Sequence, residues 1–141
     1  MNVLTNVKFT CRVSSVLNKD VKQYGKQYMF DQNDDTSWSS DEGTPQWIIM
    51  TLDEPQTVTG LSLQFQGGFS GQQFTALVYS HSREGEPTYQ ETFYPEDINS
   101  PQRFYFKDAS LTKSCSKIKL VFESMSDLFG RIIVYNFQIL S

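Results

Sequence analysis

The chain has 141 residues, a formal net charge of −4 and a pI of about 4.9, with 38% hydrophobic and 14% aromatic residues. That length and apolar content fit one domain with one packed core, and the acidic balance, with Lys and Arg scattered singly, speaks against a grip on phosphate backbones. No apolar run reaches the about 18 residues of a bilayer span, and the amino terminus lacks the basic and apolar segments of a secretory signal, so the expected location is nucleus and cytoplasm.

Val7, Phe9, Cys11 and Val13 alternate with Lys8, Thr10, Arg12 and Ser14, the period of a strand with one buried face. Residues 18–30 are polar with scattered aromatics and read as a loop with a short helical turn near its end. Residues 46–52 are bulky and partly β-branched, and predict a strand buried on both sides; residues 53–56 follow as a turn. From 57 to 66 the pattern alternates again, with Leu61, Leu63 and Phe65 inward and Ser62, Gln64 and Gln66 outward. The glycine-rich stretch 67–71 breaks it. Residues 74–80 predict the next strand, ended by the polar stretch 82–87, and 88–94 and 103–107 are shorter candidates. Ile118, Leu120 and Phe122 alternate with Lys117, Lys119 and Val121, and residues 131–140 form the last strand. About eight strands, little helix and turn signals every 8–12 residues predict an all-β, eight-stranded antiparallel sandwich or jelly roll, one domain over 1–141. Trp38 and Trp47 are both expected in its core.

The acidic stretch 31–42 places oxygen-bearing residues at the EF-hand spacing: Asp31, Asn33, Asp35, Ser39 and Glu42. It fails as an EF-hand because Thr36 stands where the sharp turn needs glycine, and because no helix flanks it. No metal is expected there; a weak ion held by Asp31, Asn33 and Thr36 is the alternative. The two cysteines differ in setting. Cys11 falls on the apolar side of a strand, and Cys115 in a polar, loop-like stretch; with one histidine in the chain, a zinc site is not expected. That histidine, His81, sits in a serine-rich turn. Neither a nucleophile elbow nor a phosphate-cradling glycine run is present, and a single acidic loop does not oppose two carboxylates across a cleft. The chain reads as a non-enzyme without a cofactor.

Four segments taken together carry a family resemblance. Residues 12–17 (RVSSVL), Phe30-Asp31 followed by Thr36-Ser37-Trp38, and Gln46-Trp47-Ile48 resemble the discoidin domain, the coagulation factor 5/8 C-terminal type of galactose-binding-like fold. The resemblance implies that 30–38 seals the end of the sandwich, with Trp38 inward and Asp31 and Thr36 tying the turn. Some sugar-binding relatives hold calcium beside this loop with a glutamate on the last strand; the matching place here is Asn136, which brings no charge. The terminal cysteine pair of secreted discoidin domains is missing. Within the fold, residues 12–18, 64–70, 93–97 and 129–135 more closely resemble a nuclear-receptor-associated family that binds the testicular orphan receptor four. That likeness implies a protein-interaction module acting as a corepressor that keeps a receptor from its DNA element, with a nuclear receptor or other protein as partner.

Discoidin-type domains use loops at one end of the sandwich; the candidates here are 18–26, 67–71, 80–86 and 124–131. Gly67, Gly68, Phe69 and Ser70 are the sharpest, since glycines free the backbone and Phe69 sits at the tip as an aromatic anchor. Phe69 has a second reading, as a lid folded over the open end of the core. Leu128, Phe129 and Arg131 form another candidate, in which Arg131 meets either a partner carboxylate or, internally, the acidic 31–42 loop. A sugar platform built from Phe69, His81 and Arg83 is the alternative function. The acidic balance argues against membrane binding.

Overall fold

The computed structural model describes residues 1–81 and 85–141. In chain order the strands are β1 (Phe9–Val13), β2 (Trp38–Ser39), β3 (Gln46–Gln56), β4 (Gly60–Phe65), β5 (Gly71–Ser80), β6 (Tyr89–Phe93), β7 (Gln102–Tyr105), β8 (Cys115–Met125) and β9 (Ile133–Leu140). They form two sheets, five-stranded in the order β1-β3-β8-β5-β6 and four-stranded in the order β2-β9-β4-β7, with every pairing antiparallel. Eight strands carry the sandwich, as the alternation predicts; β2 adds a two-residue edge on β9. Helix of all kinds amounts to 13% and is confined to short turns, among them the single-turn α1 (Val21–Tyr24).

Period-two patterning builds the core directly. Ile48 and Met50 of β3, Phe74 and Val78 of β5, and Ile118 and Phe122 of β8 face Leu61 and Phe65 of β4 and Val134 and Ile139 of β9, all fully buried. Phe74 is the centre of an aromatic group, its ring centroid 5.1 Å from Phe104 and 5.3 Å from both Phe93 and Phe122. Such tilted and edge-on contacts add to the burial term that drives the sheets together.

Three expectations are corrected. Residues 46–52 are not buried on both sides: Ile48, Met50 and Leu52 point inward, while Trp47 and Ile49 are half-buried and Thr51 is exposed on the outer face. β3 is one layer of a two-layer sandwich, so no further layer of the described residues covers its second side. The turn expected at 53–56 is instead the continuation of β3. Its pairing with β8 skips from Thr51 to Gln56, and Pro55, which has no N–H to give, falls within that gap. Cys115 is not in a loop. It opens β8, paired between Gln56 of β3 and Ser80 of β5, and is fully buried; the 3-10 turn Ala109–Thr112 before it is anchored by Thr112 Oγ1 donating to Val58 O at 2.5 Å. Cys11 and Cys115 are both free, and burial pushes each thiol up to about 12.

Candidate functional site

β1, β4 and β8 end, and β3, β5 and β9 begin, at one end of the sandwich, so the segments 14–20, 40–45, 66–70 and 126–132 share a rim. Backbone pairing sets the middle of it. Phe69 N–H donates to Gln66 O at 2.9 Å, and Phe69 O accepts from Ile133 N–H at 3.0 Å. Gly68 adopts φ +87 in the turn between them, a conformation that glycine reaches without strain.

The two sequence candidates converge here. The Arg131 guanidinium lies 5.1 Å from the Phe69 ring centroid and 5.6 Å from that of Phe129, within cation–π range of both. Phe69 is half-buried and Ser70 buried, whereas Phe129 is 61% exposed and Leu128 98% exposed. Phe69 is therefore neither a fully exposed tip nor a fully buried lid: it is half-buried, with its ring beside the Arg131 guanidinium. Leu128 and Phe129 are the apolar side chains that the rim offers to solvent.

Arg131 does pair internally, but with a different residue from the one expected. Its Nε donates to Asp127 Oδ2 at 3.0 Å and its Nη2 to Asp127 Oδ1 at 3.2 Å, a bidentate fork, while its backbone N–H reaches Oδ2 as well. The 31–42 loop contributes only the more distant charge of Glu42. The reason is local: Gly130, at φ +79, folds the chain back so that Asp127 and Arg131 meet across four residues. The hydrogen bonds from Arg131 hold the Asp127 carboxyl below its ordinary value, and the same pairing raises Arg131.

Asp97 is the residue that sequence reasoning missed. Its Oδ1 accepts from Gly68 N–H at 2.9 Å and Ser70 Oγ at 2.7 Å, with Ser126 Oγ at 3.4 Å, so one carboxylate ties the 66–70 loop to the 126–132 loop. These donors lower its pKa, Ser70 first. Asn99 supports the same turn, its Oδ1 accepting from Gly67 N–H at 2.6 Å. Gln46 is a second unforeseen hub. Buried at the start of β3, it accepts from Ser14 and Ser15 hydroxyls and donates to Asp41 O at 3.1 Å and Gly43 O at 2.9 Å. A polar residue opening an otherwise apolar strand was the available signal.

The remaining candidates separate. Asn18 N–H donates to Asp41 Oδ1 at 3.3 Å, so the start of 18–26 borders the rim. Of the 80–86 candidate, residues 82–84 lie outside the described residues, and Ser80 and His81 lie elsewhere: β5 runs from Gly71 to Ser80, which puts them at the opposite end of that strand from Phe69, about 30 Å away. His81 N–H pairs with Ser114 O there. Phe69 and His81 therefore do not form one platform, and Arg83 lies outside the described residues.

The 31–36 loop is tied by its own side chains. Asp31 Oδ1 accepts from Asn33 N–H at 3.1 Å and Oδ2 from Thr36 Oγ1 at 2.5 Å, and Asn33 Oδ1 accepts from Asp35 N–H at 2.9 Å. Phe30 packs at 5.0 Å on Phe9 of β1 and 6.1 Å on Phe137 of β9, closing the side seam between the two sheets, while Trp38 closes the rim end. Asn136 donates to Gln64 Oε1 at 3.0 Å and faces a cleft of about 250 Å³ that Phe30 and Gln32 also line.

A two-sheet jelly roll whose crossing loops build a stiffened rim is a discoidin-type module, and the chain belongs to the F5/8 type C domain family, whose sequence model matches residues 12–129. Among relatives, it is 48% identical over 129 residues to the nuclear receptor 2C2-associated protein of Danio rerio, covering 92% of this chain and 88% of that one. Among solved structures, an F5/8 type C domain from Bacteroides fragilis superposes with a TM-score of 0.81 at 16% identity, covering 93% of this chain and 89% of that one. Chitosan-binding module 1 of a Paenibacillus sp. IK-5 chitosanase/glucanase superposes with a TM-score of 0.74 at 21% identity, covering 100% and 99%. These two likenesses are of fold alone.

Proposed function

We propose that the chain is a non-enzymatic interaction module that binds a nuclear receptor through the rim of Phe69, Leu128, Phe129 and Arg131, and acts in nucleus and cytoplasm as a corepressor that keeps the receptor from its DNA element. The observation that carries this reading is the exposure of Leu128 and Phe129 beside the Phe69–Arg131–Phe129 stack. The loop backbone that carries these exposed apolar side chains is hydrogen-bonded before binding, so little backbone entropy remains to be lost. The relatives' name supplies the class of partner. Against catalysis at the rim, Asp97 and Asp127 are each engaged by several donors, and the chain's one imidazole is at the far end of β5.

The test is calorimetric titration of nuclear receptor 2C2 with the intact chain and with the Leu128→Ala/Phe129→Ala variant. Affinity should fall by about 2 kcal/mol, with an unchanged melting temperature. An unchanged affinity in the folded variant would move the site off the rim. In a gel shift with the receptor's DNA element, excess chain should deplete the receptor–DNA band. A slower, supershifted band in its place would refute the blocking mechanism.

A further inference from the structure

The outer face of the five-stranded sheet takes no part in the rim, and it carries the chain's most ordered display of cations. Strand register sets it out. Arg12 on β1 and Lys119 on β8 both lie opposite Ile49 of β3, and Lys117 lies opposite Thr51 on one side and Tyr79 on the other. The Arg12 guanidinium is 6.0 Å and the Lys119 ammonium 5.7 Å from the Trp47 ring centroid, and the Lys117 ammonium is 4.2 Å from that of Tyr79. Each cation thus lies across an aromatic face with its stem laid along the sheet. Among the described residues none of the three has a carboxylate in ion-pair reach; the described salt bridge is that of Arg131 with Asp127. The acids that alternate onto this face, Asp53 and Glu123, sit at its two margins. Beneath and between the cations Trp47, Ile49, Leu77 and Val121 are half-buried, with no further layer of the described chain over them.

We infer that this face docks an extended acidic peptide segment of a protein partner, independently of the rim. Charge complementarity names the occupant: a positive island on a chain of net charge −4 attracts carboxylates, while the surrounding field repels a duplex. Spacing agrees. Lys117 and Lys119 are two residues apart on one strand, about 7 Å, which is the separation of carboxylates at alternate positions of an extended chain. Arg12 lies two strands from Lys119, about 10 Å, within reach of a third carboxylate. The intervening residues of such a peptide point away from the sheet, so the carboxylate-bearing side chains alone lie over Trp47 and Val121.

Trp47 is the tryptophan left partly open to solvent, Trp38 being buried, so indole fluorescence reports on the face itself. The probe is a short synthetic peptide of alternating Glu and Leu, titrated into the intact chain, with the same peptide carrying Gln for Glu as control. A saturable change that weakens with added salt is expected with the Glu peptide only. Lys117→Glu/Lys119→Glu should weaken it about tenfold or more, and Lys117→Gln/Lys119→Gln by less, the milder pair serving if charge reversal impairs folding. Leu128→Ala/Phe129→Ala should leave it unchanged, which keeps the outcome separate from that of the rim. The inference is overturned by equal binding of the Gln peptide, by unaltered binding to a folded Gln variant, or by tighter binding of a DNA duplex. Self-association that Lys117→Glu/Lys119→Glu abolishes would overturn it too, making a second copy the occupant.

Discussion

Trp38 and Trp47 lie nine positions apart and have opposite fates. Trp38 is fully buried, and its Nε1 donates to Ser15 O at 2.9 Å, so its one polar group is satisfied inside. Trp47 lies on the open sheet face under two cations. Trp38→Ala should cost about 3–5 kcal/mol in urea unfolding, and Trp47→Ala about 1 kcal/mol. The sequence placed Trp38 correctly because its loop motif is directional. It misplaced Trp47 because Gln46-Trp47-Ile48-Ile49-Met50 is bulky at nearly every position and shows no alternation to say which side is in. Asp97 was illegible for another reason: its partners lie 27 to 29 residues away along the chain, and only the folded loops bring them to one carboxylate. Because those donors lower its pKa below the ordinary 3.8, the stability that Asp97 lends is complete above about pH 4 and is lost as pH falls through the lower folded value. Asp97→Asn should therefore flatten the acid-side fall in urea midpoint between pH 5 and pH 2. An unaltered slope would mean that the carboxylate's hydrogen bonds do not persist in solution.

Strands with one wet face were readable and strands with two bulky faces were not, and that contrast governs the elements. β4 and β8 alternate cleanly, so their inward residues Leu61, Leu63, Ile118, Leu120 and Phe122 could be named from period alone. The pattern of β3 is legible over 46–52, but Pro55 and its polar neighbours read as a turn over 53–56; here the proline sits where β3 leaves its pairing with β8. The rim candidates were legible as glycine-flanked aromatics, yet their convergence depended on which strands are neighbours, and no local pattern encodes that. Gly130 shows how narrow the loop geometry is. At φ +79 a side chain is strained, and a Cβ there would also fall 2.7 Å from Gly43 O, the residue whose N–H donates to Phe129 O at 2.8 Å. Gly130→Ala should cost about 1–3 kcal/mol through the backbone conformation alone. On the rim function proposed above it should also displace Phe129, seen as a loss of receptor affinity larger than that of Phe129→Ala. A fully stable variant would show that the loop has another conformation open to it.

At the scale of the whole molecule the sandwich is held by one apolar interior, and its two thiols report on that interior from the edge strand and the central strand of the five-stranded sheet. Cys11 pairs across from Met50 on the edge strand β1, and Cys115 opens β8 opposite Gln56 and Ser80; both are buried in the one core. Native labelling by a thiol reagent should then proceed only through global opening, at a rate that tracks urea stability for both residues. Alkaline behaviour follows from the same burial. Each folded thiol is pushed up to about 12 from an ordinary value of 9.0, so the native state keeps its protons where the unfolded state sheds them. The stabilisation is therefore complete below about pH 9 and is lost as pH climbs toward the folded value, giving a melting temperature that is level near neutrality and falls on the alkaline side. The deciding comparison is Cys11→Ala/Cys115→Ala against the unaltered chain. The variant should start lower at neutral pH, because two cavities replace two packed sulfurs, and should lose less between pH 9 and pH 11. Parallel curves over that window would show that both thiolates find water without unfolding, and the interior would then be looser than its close-packed rings imply.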